Sequence, residues 1–159
     1  MEFFRDEFLS LPGPGALVVG LRLLGAALVC ALIGLERELT DHEAGMRTNM
    51  LVGFASATFA LATEGIVANA SGDVIRADPT RLIEAVTSGV AFLAAGLIVL
   101  SKGQVRGLTT GASIWLSAAA GLSIGLGQWI LGLFAGLGGV AILMLVRYIE
   151  LRLGTKDPR

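Results

Sequence analysis

The sequence predicts an all-α membrane protein, a bundle of five transmembrane helices, and three observations carry that expectation. Of the 159 residues, 54% are hydrophobic and 16% charged, against about 25% charged in an ordinary soluble domain. The apolar residues gather into five stretches, 17–35, 50–70, 82–100, 109–126 and 130–149. Each approaches the roughly 20 residues that an α-helix needs to cross a hydrocarbon core about 30 Å thick. Lastly, the polar residues fall mostly between the stretches. In lipid every backbone N–H and C=O must be satisfied within its own segment, so these stretches fold as helices. The expected organisation is an extracytoplasmic segment 1–14, a membrane domain 15–150 and a cytoplasmic tail 151–159, with no room for a separate soluble domain.

The segment before the first stretch, Met1–Phe8, is acidic and lacks the basic start of a cleavable signal peptide, so the first span is expected to be retained. Cys30 lies between Val29 and Ala31 in that span and reads as a small buried apolar residue. As the one cysteine it excludes an internal disulfide or a cysteine zinc cluster. His42 reads as a solvated loop residue, with a pH-sensing role as the alternative. Asn69-Ala70-Ser71 matches a glycosylation acceptor and reads as coincidence. Asp78 is placed to cap the third helix, with Pro79 as its first residue, where the missing N–H costs nothing. The fourth stretch, with Ser113, Ser117, Ser123 and a run of alanines, is thin enough to be the most central helix. Its hydroxyls can bond back to the preceding turn. Gly127-Gln128 breaks the apolar run, and Trp129 and Tyr148 sit near opposite ends of the fifth span, where aromatic belts form. Trp115 lies deeper and is expected in the core. The glycine pairs Gly107/Gly111, Gly121/Gly125 and Gly132/Gly136 each lie on one helix face. They let backbones approach closely, within the bundle or in a homo-oligomer.

Basic residues orient the chain. The side holding the first and third connections and the C-terminus collects Arg37, Arg47, Lys102, Arg106, Arg147, Arg152, Lys156 and Arg159, whereas the other collects Arg5, Arg76 and Arg81. This predicts a protein with its N-terminus outside and its C-terminus in the cytoplasm. The hairpin leading through Arg47-Thr48 and the one leading through Arg106-Gly107-Leu108-Thr109-Thr110 each end in a small-residue span. That echo suggests two parallel-repeat hairpins plus a fifth helix.

Charges in or near lipid mark the candidate sites. Arg22, inside the first span, can pair with Glu64 or Glu84, as a structural ion pair or as part of an ion pathway. At the other membrane surface, Glu36-Arg37-Glu38 is either a self-paired solvated group or a seat for hydrated Mg²⁺, with Glu36 and Glu38 as ligands. Arg47, Thr48, Arg106, Thr109 and Thr110 mark two helix starts, where threonine can cap N–H groups and a helix dipole beside arginine favours an anion or a phospholipid headgroup. Formal charge is −1, and no basic patch suits nucleic acid. Neither a Ser/His/Asp set nor a phosphate loop is present, so the protein is expected not to be an enzyme and to need no cofactor other than Mg²⁺.

Four strings occur in order: Ile33-Gly34-Leu35-Glu36-Arg37-Glu38, Ala44-Gly45-Met46-Arg47-Thr48-Asn49-Met50-Leu51, Asp78-Pro79-Thr80-Arg81, and Val105-Arg106-Gly107-Leu108-Thr109-Thr110 through Trp115. Together they resemble the MgtC/SapB family of bacterial inner-membrane proteins, over roughly residues 17–146. Two departures stand out. A glycine-rich run usual in the family's third span reads Gly89-Val90-Ala91-Phe92-Leu93-Ala94-Ala95-Gly96 here, and the usual Thr-Thr-Ala-Ala-Ser is Thr109-Thr110-Gly111-Ala112-Ser113. Larger relatives carry a soluble domain after the membrane part, and this chain resembles the short form. The resemblance implies a role in Mg²⁺ homeostasis and adaptation to low Mg²⁺ in a virulence-associated family. It implies either a transporter or a regulator that binds other membrane complexes, such as the ATP synthase.

Overall fold

The computed structural model describes residues 14–69, 79–101 and 104–154. Its order is α1 (Ala16–Leu39), α2 (Met46–Asn69), α3 (Pro79–Leu97), β1 (Val99–Ser101), β2 (Gln104–Arg106), α4 (Leu108–Gly125) and α5 (Trp129–Leu153). All five helices are long and apolar enough to cross a membrane. Asp78, the expected cap of α3, lies outside the described residues, as do residues 70 and 71 of the acceptor triplet and most of the 1–14 segment. Pro79 does open α3.

The interior is built from small residues and the exterior from large apolar ones, the reverse of a water-soluble bundle. Ala26, Cys30, Ala57, Ala60, Ala120, Ile124 and Ser117 are closed off, while Leu24, Leu28, Phe92, Phe134 and Ile142 face outward. Lipid tails are as apolar as leucine, so burying leucine gains little there, and close backbone packing supplies the attraction instead.

Helix α4 touches every other helix, as its small-residue composition leads one to expect. Its contact with α2 steps in register: Ser117 meets Asn49, Gly121 meets Gly53 and Gly125 meets Ala57. Both sequences ascend together, so α2 and α4 run parallel. A Cβ on Gly125 would stand 2.6 Å from the Ala57 Cα. The pairs α1/α2 and α3/α4 are antiparallel hairpins. Gly34 lies against Met46 and Gly45, Cys30 against Gly53, and Gly111 against Ala94. Helix α5 runs with α1, since Gly25 meets the Trp129 ring and Gly136 meets Val29. The start of α1 and the end of α5 therefore lie at opposite ends of the bundle, as an odd number of crossings requires.

All three glycine pairs are used inside the bundle. Gly107 has a φ of +86° and its α-carbon faces the Leu97 carbonyl, a place no side chain can occupy, so glycine is required at the entry to α4. Gly111 packs on Ala94, and a Cβ on Gly132 would sit 3.0 Å from the Ala120 oxygen. Gly89 and Gly96 on α3, by contrast, meet nothing within 4 Å.

Three expectations are corrected. The apolar stretch 82–100 does not stay helical to its end: Val99–Ser101 pairs antiparallel with Gln104–Arg106, Val99 opposite Arg106. Trp115 is 48% exposed and faces outward rather than into the core. His42 is not a freely solvated loop residue, for its Nδ1 lies 2.7 Å from Thr40 Oγ1 and its N–H donates to the Arg37 carbonyl. It closes the turn in which Asp41 takes a φ of 59°.

Candidate functional site: two ion pairs and a polar core between them

Direction of travel sorts the charged residues by end. Arg22, Glu64, Arg81 and Glu84 belong to one end, and Glu36, Arg37, Glu38, Arg47, Thr48, Arg106, Thr109 and Thr110 to the other.

At the first end Arg22 chooses Glu64. Its Nη1 donates to Glu64 Oε2 at 2.6 Å and to the Gly125 carbonyl at 3.0 Å. Gly127, with a φ of +78°, lets the turn after α4 close over the guanidinium: a Cβ there would stand 2.7 Å from Nη2. Arg22 thus ties α1, α2 and the end of α4. Its side chain is 14% exposed and that of Glu64 39%, so water screens the pair, and about 1–2 kcal/mol is a reasonable contribution. Glu84 and Arg81 are exposed on α3, away from this cluster.

The other end carries a more deeply buried pair. Glu36 and Arg37 are 5% and 4% exposed, although neighbours in a helix sequence normally face different directions. The arginine chain folds back so that Nε and Nη2 both donate to Glu36 Oε2, at 2.6 Å each. Glu36 Oε1 and Arg37 Nη1 are buried without a hydrogen-bond partner among the described residues. One oxygen takes two bonds and the other takes none, which is not the two-pronged arrangement that makes arginine–carboxylate pairs strong.

Glu38 points elsewhere. Its exposed side chain turns over Gly45, and Oε2 accepts the Met46 N–H at 2.9 Å. This carboxylate serves the start of α2, where the dipole favours a negative charge. The threonines do not take the capping role read from the sequence. Thr48 and Thr109 are exposed, and the residue that caps α4 is Gly107, which offers no side-chain bond. A β-ribbon holds that backbone in a left-handed turn, which leaves threonine no place at the cap. Thr110 is buried, and its carbonyl accepts the Ser113 hydroxyl at 2.8 Å. Arg47 and Arg106 are exposed. Glu36 and Glu38 therefore act on different neighbours, and no group of three or more His, Cys, Asp or Glu suited to a metal occurs among the described residues.

Between the ion pairs lies a polar cluster that sequence reasoning missed. Asn49, fully buried, donates through Nδ2 to the Ala44 and Gly45 carbonyls at 2.9 Å each. Its Oδ1 accepts the Ser117 hydroxyl at 2.8 Å, and Cys30 Sγ donates to the Ser117 carbonyl at 3.3 Å. Ser123 bonds back along its own helix, to Ala119, as expected of serine in a span, but Ser117 reaches across to α2. The available signal was an amide at the start of an apolar stretch and a serine among alanines, a pattern that crosslinks helices in lipid.

Comparison with other proteins adds a lineage to this geometry. The family model described as MgtC family matches residues 23–152. The Escherichia coli K12 protein named "Putative magnesium transporter YhiD" is 36% identical over 138 residues, 86% of this chain and 64% of its own length. Protein SrpB of Synechococcus elongatus is 42% identical over 131 residues, 77% of this chain and 71% of the relative. Protein MgtC of Salmonella typhimurium is 42% identical over 109 residues, 69% and 44% respectively. The chain thus spans less than two thirds of the length of YhiD and of MgtC. No solved structure matches.

Proposed function

Because the chain belongs to the MgtC family, we propose that it serves Mg²⁺ homeostasis in the bacterial inner membrane, by engaging other membrane proteins rather than by conducting the ion. One observation carries the choice. Among the described residues, each carboxylate that reaches into the bundle, Glu64 and Glu36, is held by an arginine, Arg22 or Arg37. A divalent cation moving between them would meet two fixed positive charges and then a stretch lined by Asn49, Ser56 and Ser117. Mg²⁺ gives up its waters reluctantly and is usually held by carboxylates, and that stretch offers none. The name of the E. coli relative supports the link to Mg²⁺.

The distribution of basic residues supports a cytoplasmic position for the end bearing Glu38, Arg47 and Arg106, with the N-terminus outside. Those exposed groups offer contacts to a membrane complex such as the ATP synthase. The outer face of α3, where Gly89 and Gly96 stand open, offers a seat for a partner helix or a second copy.

Reconstitution into liposomes with a Mg²⁺-sensitive dye inside tests this. No protein-dependent influx is expected at any gradient. Photocrosslinkers at Arg47 and Arg106 are expected to capture a membrane-protein partner in cells. Influx that disappears in Glu64→Gln but survives in the exposed-loop control Glu43→Gln would establish transport and overturn the proposal.

A further inference from the structure

Helix α3 is held along one side only. Val90 and Ala94, each 7% exposed, face the bundle, where Ala94 meets Gly111 of α4. Contact with α2 is slight. On the opposite face Arg81, Ala85, Ser88, Phe92 and Ala95 recur at helical spacing, and all are exposed. Apart from Phe92 this face is small or charged, whereas Leu24, Leu28, Phe134 and Ile142 are what other helices turn outward. Phe92 stands 81% exposed, and Gly89 and Gly96, one turn to either side, meet nothing within 4 Å. Arg81 sits in the first turn of α3, at the positive end of the helix dipole, where a cation is disfavoured. Glu84, one turn on, is also exposed, and neither residue makes an ion pair among the described residues. Arginine before glutamate is the weaker order for pairing within one helix.

We propose that the outer face of α3 docks on the same face of a second copy of this chain, with Arg81 of each copy paired to Glu84 of the other. Two copies inserted the same way are related by a two-fold axis along the membrane normal, so the two α3 helices run parallel and equal residues share a depth. Arg81 and Glu84 are then offset by about 4.5 Å along the axis, within reach of an arginine side chain, and the pattern is self-complementary. Each Arg81 gains a carboxylate that offsets the dipole. Deeper in the membrane the small residues let the backbones approach, and Phe92 of each copy enters the hollow at the other's Gly89 and Gly96. Charge decides the occupant. A lipid phosphate would satisfy Arg81 and repel Glu84, whereas a second copy answers both. The proposal rests on the outer α3 face being a docking surface and is independent of the Mg²⁺ role.

The test is energy transfer between donor- and acceptor-labelled full chains in liposomes, followed as lipid is added to dilute the protein. The wild type is expected to associate saturably, above the level set by random proximity. Arg81→Glu alone and Glu84→Arg alone each set like charges together, and each is expected to weaken association about tenfold. Mixing the Arg81→Glu chain with the Glu84→Arg chain places four acidic groups opposite four basic ones or fewer repulsions than either alone, and is expected to restore association. That rescue arises only between chains. Ala95→Trp leaves the charges alone and is expected to weaken association about tenfold by holding the helices apart. It decides the matter where a charge variant fails to fold. Transfer no higher than random in the wild type would overturn the proposal, as would undiminished association in Ala95→Trp or no rescue in the mixture of folded charge variants. A photocrosslinker at Phe92 that captures other membrane proteins and never a second copy would overturn it too, while leaving the face as a docking surface.

Discussion

Replacing Gly121 with leucine is expected to cost about 3 kcal/mol or more, the top of the usual range for overpacking. The reason is the nature of the obstacle. A Cβ at Gly121 would stand 2.6 Å from the Gly53 Cα and 2.7 Å from its carbonyl carbon, and it would also meet the carbonyl oxygen. Side chains can change rotamer to make room, but backbone cannot, so α2 and α4 must separate. Separation also opens Ser117–Asn49 one turn away and the Gly125–Ala57 contact one turn on the other side. Gly89→Leu is the matched control. That position is open, and leucine is the better helix former by nearly 1 kcal/mol, so stability is expected to hold or rise slightly. Unfolding in a denaturing detergent titration measures both. Equal effects at the two sites would refute the parallel α2/α4 crossing.

The second large effect is expected at Arg37. Arg37→Leu leaves the Glu36 carboxylate buried with neither oxygen paired, and breaking a buried ion pair from one side typically costs about 3–5 kcal/mol. Replacing both residues with methionine removes the stranded charge along with its partner. That double variant is expected to be more stable than Arg37→Leu, because a well-packed apolar pair often matches or exceeds a buried ion pair. The same unfolding titration compares them. A loss below about 0.5 kcal/mol in Arg37→Leu would mean that water reaches Glu36 freely.

The membrane spans were legible in the sequence because the requirement for roughly 20 apolar residues leaves few alternatives. The helix ends were less so. Helix α1 continues through Glu36-Arg37-Glu38 to Leu39, and α2 begins at Met46, before the apolar stretch that starts at residue 50. Hydropathy ends a span at the first charges, whereas the helix continues wherever those charges find partners. The strand at Val99–Ser101 was hidden for a related reason, since a short apolar run does not distinguish strand from helix. The outward orientation of Trp115 reflects a helix whose other faces are taken by small residues.

At the site, Arg22 had two carboxylates within the same span depth, and sequence position cannot choose between them. Packing does, because α3 touches α2 only slightly and keeps Glu84 outside. The burial of Glu36 and Arg37 was not legible at all. Adjacent charges at a span end read as solvated, and only the approach of the loop backbone to Gly34 draws that turn into the bundle.

The central claim is that the Arg47-Thr48 and Arg106–Thr110 motifs of two separate hairpins lie at one end of the bundle, opposite the Arg22–Glu64 clasp. Membrane-impermeant thiol labelling in sealed vesicles tests it most directly, using single cysteines at Thr48, Thr109 and Arg81 in a chain with Cys30 replaced by alanine. All three positions are exposed. The account predicts that Thr48→Cys and Thr109→Cys react from the same face, with Arg81→Cys reacting only from the other. Labelling of Thr48→Cys and Thr109→Cys from opposite faces would contradict it.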